Sequence, residues 1–255
     1  MPHVIAVAGK GGVGKTTICG LLIQYLCESG KKPVLAVDAD SNSNLNEVLG
    51  VEAKQTLGEI REKMKKAASL QSEVPSTMSK DVYAEKEVFA ALTEEDDYDL
   101  LVMGRSQGQG CYCFVNGLLQ REIMSIQDNY PYIVVDNEAG MEHISRGLLP
   151  HIDTMILVSD CSRRGIQAAA RIAELVEELE VNPERIGLVV NRAPNGVLNE
   201  GTKEEIATRK LDLLGVVPQD EVVYEYDCDG KAIVKLPEDS PVRAALKGII
   251  EKLGI

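Results

Sequence analysis

Gly9-Lys10-Gly11-Gly12-Val13-Gly14-Lys15-Thr16 carries the G-x-x-x-x-G-K-[ST] spacing of a phosphate-binding loop. Backbone N–H groups around Gly9, Gly11, Gly12, Val13 and Gly14 can converge on phosphate oxygens because few side chains obstruct them, and a helix starting here adds its positive dipole end. Lys15 would reach the β/γ-phosphates as a point charge, the Thr16 hydroxyl would complete a Mg²⁺ shell, and Thr17 closes the loop. Two acidic positions fit the same chemistry. Asp38-Ala39-Asp40-Ser41-Asn42 follows a second apolar run, and Asp136 ends the run Tyr132-Ile-Val-Val. A carboxylate at a strand's carboxyl end can hold a magnesium-bound water, and an apolar strand closed by Asp is the Walker B pattern. For Asp38 and Asp40 the alternative is a cap on the next helix.

A second constellation is softer. Cys111-Tyr112-Cys113 follows a Gly- and Gln-rich stretch, 104–110. In an extended segment residues i and i+2 project to one side, so both sulfurs can bind one soft metal. The alternative is a pair of small buried hydrophobes. A closed site needs about four ligands, and a twofold axis would supply them from two protomers. Lys10 is either a solvated loop charge or a contribution to the phosphate site of a second subunit, where it would neutralise developing charge. Cys19 and Cys27 read as core, Cys161 and Cys228 have no partner at ligand spacing, and His143 and His151 read as structural.

The elements that must position these groups alternate. Apolar runs at 4–8, 33–37, 100–103, 132–135, 154–158, 186–190 and 214–217 read as strands, and 16–29, 57–68, 114–127, 164–180 and 203–210 as helices. Continuous rather than alternating apolar runs suit parallel strands buried on both faces. The expected fold is α/β, a doubly wound, mostly parallel sheet of about seven strands with helices on both faces, and ligands outside the strands' carboxyl ends. Residues 69–86 read as a surface excursion, and 1–255 as a single domain.

Composition narrows the partners. The 255 residues are 44% apolar and 26% charged, with two Phe and no Trp, so the core must be aliphatic. A net charge of −13 repels phosphate backbones and anionic lipid, which disfavours nucleic acid and membrane partners. The start enters a strand without a targeting pattern, and six cysteines read as reduced thiols, so the expected location is cytoplasmic.

G-K-G-G-V-G-K-T-T, D-A-D-S-N, I-V-V-D-N-E-A-G and V-V-N-R together resemble the deviant-Walker ATPases of the MinD/ParA/nitrogenase-iron-protein superfamily, over 4–192. The resemblance implies a P-loop NTPase fold of the SIMIBI kind and Mg²⁺-dependent hydrolysis of ATP to ADP. It implies that Lys10 crosses a homodimer interface to the partner's ATP, that Asp40 helps orient water, and that Asn191, beside Arg192, contacts adenine. G-Q-G-C-Y-C and A-G-M-E-H-I-S-R-G narrow it to similarity with the CooC family. That family implies a nickel or zinc ion at Cys111 and Cys113, and a client such as carbon monoxide dehydrogenase or acetyl-CoA synthase.

Two other readings compete. A positioning ATPase of the MinD or ParA kind would need a membrane helix or a DNA-binding face, and the apolar spacing of 241–255 reads instead as a helix packed on the sheet. An iron–sulfur reductase resembling the nitrogenase iron protein would need a Cys just after Asp136, where this chain has Asn137-Glu138-Ala139-Gly140.

Overall fold

The computed structural model describes residues 1–42, 44–70, 80–105, 113–139 and 151–255. Its strands are β1 (His3–Gly9), β2 (Val34–Ala39), β3 (Thr93–Glu94), β4 (Tyr98–Val102), β5 (Tyr132–Asn137), β6 (Thr154–Asp160), β7 (Arg185–Ala193) and β8 (Leu213–Pro218). They form one sheet in the order β3-β4-β2-β5-β1-β6-β7-β8. All pairings are parallel except β3 with β4. The seven expected strands are all present. The eighth, β3, has two residues, too short to leave an apolar run. The strand order reverses at β1, which places the loop after Gly9 at the topological switch point.

Helices α1 (Lys15–Glu28), α2 (Leu45–Leu49), α3 (Leu57–Leu70), α4 (Lys80–Ala91), α5 (Cys113–Ile126), α6 (Arg163–Glu178), α7 (Glu200–Thr208), α8 (Glu221–Cys228) and α9 (Pro241–Leu253) pack around the sheet. Local chemistry sets their starts. Ser162 accepts from Gly165 N at α6, Asn199 from Thr202 N at α7, and Ser240 from Arg243 N ahead of Pro241 at α9. The Asn199 cap puts α7 earlier than the expected 203–210. Helix α4 begins inside the stretch read as an excursion, and α2 and α8 were not expected.

Alternation along each strand divides the core. Ile5 and Val7 of β1 face a layer built by Ile18, Leu22 and Leu26 of α1 with Leu246 and Ile250 of α9. On the other face Ala6 and Ala8 meet Ile166 and Ala169 of α6, while Leu35 and Val37 of β2 meet Leu57 and Ile60 of α3. Each fully buried Leu or Ile contributes about 1.5–3 kcal/mol. Helix α9 buries Val242, Leu246, Ile249 and Ile250, as its spacing predicts. Among the described residues no helix is long and apolar enough to cross a membrane.

Candidate nucleotide and magnesium site

Gly9 ends β1 opposite Val158 of β6. A Cβ there would lie 2.3 Å from the Val158 carbonyl oxygen, so only glycine lets the strand turn out at this point. Gly14 caps α1 in the left-handed conformation, φ 92°, and no side chain caps the helix start. The first-turn N–H groups of α1 are therefore left to an anion. Lys15 is buried at 7% exposure, and its Nζ donates to the Lys10 carbonyl across the loop at 3.5 Å. Lys10, Gly11 and Gly12 are exposed, whereas Val13 packs into the core.

The acidic residues lie deeper than the sequence implies. Asp38 and Asp136 sit inside β2 and β5, not after them, and are register partners on neighbouring strands. Asp38 is fully buried. Its Oδ1 accepts from Asp40 N and its Oδ2 from Leu45 N, each at 3.0 Å. Through these bonds its carboxylate shapes the loop leading into α2, whose cap position is Asn44. Burial pushes the Asp38 carboxyl up to about 7; Asp136 adds to the rise and the backbone N–H bonds oppose it.

Asp136 is 1% exposed, and the Thr16 hydroxyl and the Cys19 thiol lie near enough to its carboxylate to favour the charged form. Burial raises its carboxyl to about 6, with the Thr16 hydroxyl, the Lys15 charge and the Cys19 thiol opposing. Its Oδ1 is buried with no partner. A buried carboxylate oxygen with open lone pairs beside a threonine hydroxyl is the hard oxygen donor set that Mg²⁺ takes. The residues fit the ion.

The sequence reads Cys19 as core. It is core, yet its position three residues after Thr16 puts both on one helix face, a spacing that signals the contact with Asp136. Burial, then the Asp136 charge, hold the thiol well above its usual range, so it stays a donor. Cys27 is only half-buried, and its pKa is pushed to about 11, chiefly by burial.

Asp40, half-buried, accepts from Asn42 N at 2.8 Å. The neighbouring Ser41 donates to Glu138 Oε1 at 3.3 Å, joining the loop after β2 to the loop after β5. Arg105 donates to Asn42 Oδ1, tying in the chain just past β4.

From β7, Asn191 Nδ2 donates to Val13 O at 2.9 Å, and Arg192 Nη1 donates to Gly12 O at 3.2 Å. Both border a cavity of about 760 Å³ that Thr17, Pro218, Gln219, Asp220 and Tyr224 also line. It has room for a nucleobase next to the loop. The β8–α8 segment that forms its far wall carries no motif, so sequence reasoning missed it.

Cys111 lies outside the described residues, as do Gly108, Gly110, His143 and the 140–147 motif; Cys113 is the first residue of α5. At the sheet's amino end, away from the loop, His151 pairs with Asp153 Oδ1 at 3.0 Å, and Asp153 Oδ2 accepts from Val4 N at 2.6 Å. Those bonds support the structural reading of His151.

Residues 4–233 match the family described as CobQ/CobB/MinD/ParA nucleotide binding domain. An uncharacterised ATP-binding protein of Methanocaldococcus jannaschii is 42% identical over 252 residues, covering 98% of each chain. The carbon monoxide dehydrogenase accessory protein CooC of Rhodospirillum rubrum is 28% identical, over 98% of this chain and 97% of its own. Among solved structures, the cell division ATPase MinD of Pyrococcus furiosus has TM-score 0.72 and 25% identity, covering 100% of this chain and 99% of its own. MinD of Pyrococcus horikoshii, complexed with Mg-ADP, has TM-score 0.71 and 22% identity, covering 99% and 96%.

Proposed function

The chain belongs to the CobQ/CobB/MinD/ParA nucleotide-binding domain family, and from that premise we propose a Mg²⁺-dependent ATPase that dimerises around ATP and carries nickel or zinc. The reaction is attack of water on the γ-phosphorus, releasing ADP and inorganic phosphate. The observation that carries the ATPase reading is the buried, unpartnered Asp136 oxygen beside Thr16, at the foot of a loop whose helix start has no cap.

In this reading Gly9 to Thr17 cradle the phosphates, and Asn191 and Arg192 flank the base cavity. Thr16 and Asp136 hold the ion, Asp136 partly through water, and Asp38 shapes the loop beside them. Bound Mg²⁺ would neutralise β/γ-oxygen charge. Lys15 stabilises the transferring phosphoryl group, Lys10 of a second copy adds its charge from across the interface, and Asp40 orients the water. Exposure of Lys10 on the loop's outer side is compatible with that reach.

The cargo reading draws on the C-x-C pair and the full-length likeness to CooC of Rhodospirillum rubrum, a carbon monoxide dehydrogenase accessory protein. Two protomers would contribute Cys111 and Cys113 each, completing four thiolates. The Ser41–Glu138 and Arg105–Asn42 bonds give hydrolysis a route toward that segment, because both join loops that follow strands ending at the phosphate site. A client nickel enzyme, carbon monoxide dehydrogenase or acetyl-CoA synthase, would receive the ion.

Likeness to MinD favours a second reading, a positioning ATPase. Against it, α9 buries its apolar stripe in the core and the net charge is −13. The deciding experiment combines ATP turnover with and without Mg²⁺, metal content of the purified protein, and solution mass with a nonhydrolysable ATP analogue. Turnover, bound nickel or zinc, and an analogue-induced dimer are expected. Turnover without bound metal, together with lipid-vesicle binding, would move the assignment to the positioning class.

A further inference from the structure

Two of the bonds that reach the phosphate loop come from consecutive residues at the end of β7. Asn191 is 5% exposed and donates from Nδ2 to Val13 O at 2.9 Å. Arg192 donates from Nη1 to Gly12 O at 3.2 Å, and its backbone N–H donates to Asn191 Oδ1 at 2.9 Å, which fixes the amide's orientation. Gly14 leaves room for this approach; a Cβ there would fall 2.4 Å from Asn191 Nδ2. The backbone of Arg192 is held at φ 55°, a left-handed conformation unfavourable for a long side chain.

A peptide plane is rigid, and its C=O and N–H point in opposite directions. Anchoring the Gly12 carbonyl to Arg192 therefore turns the Val13 N–H away from β7. Anchoring the Val13 carbonyl to Asn191 does the same for the Gly14 N–H. Those two N–H groups belong to the nest that receives phosphate oxygens. The loop's glycines leave its conformation open, so an outside restraint is needed to hold these planes before ligand arrives.

We propose that Asn191 and Arg192 are positioning residues that pre-set the phosphate nest from its carbonyl side, so that they govern triphosphate affinity independently of the base. This rests on the nucleotide-site reading above. It separates their role from adenine recognition, because a base-free ligand depends on the nest alone.

The test is titration of the full chain, with Mg²⁺, against ATP, GTP and inorganic tripolyphosphate, at about 50 and 500 mM salt. Wild type is compared with Asn191→Ala, Arg192→Gly and Arg192→Lys. Arg192→Gly removes the guanidinium and relieves the backbone, so it should fold even if Asn191→Ala does not. Tripolyphosphate affinity is expected to fall about tenfold in Asn191→Ala and Arg192→Gly, one hydrogen bond to a held group, with the loss retained at high salt. Arg192→Lys, which keeps the charge but has no fork, should recover only part. Unchanged tripolyphosphate binding with weakened ATP binding would overturn the proposal in favour of a base contact. A loss that disappears at high salt would overturn it in favour of simple charge attraction. Should wild type bind none of the three ligands, the nucleotide site itself would be refuted.

Discussion

Asp38 and Asp136 are register partners on the adjacent parallel strands β2 and β5, two carboxylates side by side in the buried centre of the sheet. Burial raises both, Asp38 to about 7 and Asp136 to about 6. The folded chain therefore holds protons that the unfolded chain, with an ordinary value of 3.8, has already released. Without ligand, this pair makes stability fall as pH rises from about 4 to about 7. Asp136→Asn should flatten that slope and stabilise the unliganded chain at pH 7 by on the order of 2 kcal/mol. Denaturant melts at several pH values check it; a steeper slope in the variant would contradict the assignment. In the proposed site Mg²⁺ takes the ionised Asp136 carboxylate, so its half-saturation concentration should rise as pH falls below about 6.

Cys19 acts on the same carboxylate from α1. Cys19→Ala should weaken Mg²⁺ affinity of the ADP complex by about tenfold, whereas Cys19→Ser, which keeps a donor, should lose less. Fluorescent-ADP binding titrated with Mg²⁺ reads this without turnover. Equal Mg²⁺ dependence in all three proteins would reduce Cys19 to packing.

Lys10 is exposed on the loop, while Lys15 is folded over it. Lys10→Ala should keep ATP affinity within a few-fold yet lower turnover about a thousandfold and abolish ATP-driven dimerisation. Single-turnover rates and light scattering check both. Wild-type turnover would remove the cross-subunit role.

Changing Cys111 and Cys113 together to Ala should reduce nickel or zinc from stoichiometric to background and leave ATP binding intact. Elemental analysis beside an ATP titration is sufficient. Unchanged metal content would place the ion elsewhere.

Asn191→Ala should also lower the ATP-over-GTP preference if its second amide proton reaches adenine, separately from its hold on Val13. The ratio of the two dissociation constants measures this. A constant ratio would put base recognition on the β8–α8 wall of the cavity.

Much of this was legible in the chain because the governing physics is local. Seven buried parallel strands announce themselves as uninterrupted apolar runs, and the loop motif announces itself because glycine spacing, a lysine and a hydroxyl are all that a phosphate nest requires. The sequence by itself thus determined the α/β alternation, and it displayed the loop motif and the acidic positions Asp38 and Asp136 without showing how deep they lie. Tertiary structure decided what those groups touch. That Asp38 sits beside Asp136, that the Cys19 thiol comes up against the Asp136 carboxylate, and that Asn191 and Arg192 hold the loop's carbonyls depend on how strands far apart in sequence line up and how α1 packs on them. The β8–α8 wall of the base cavity has no motif because it supplies shape, and shape is set only when helices and strands pack. Register and packing follow from how the whole aliphatic core closes, a property of many residues at once that no short window of sequence contains.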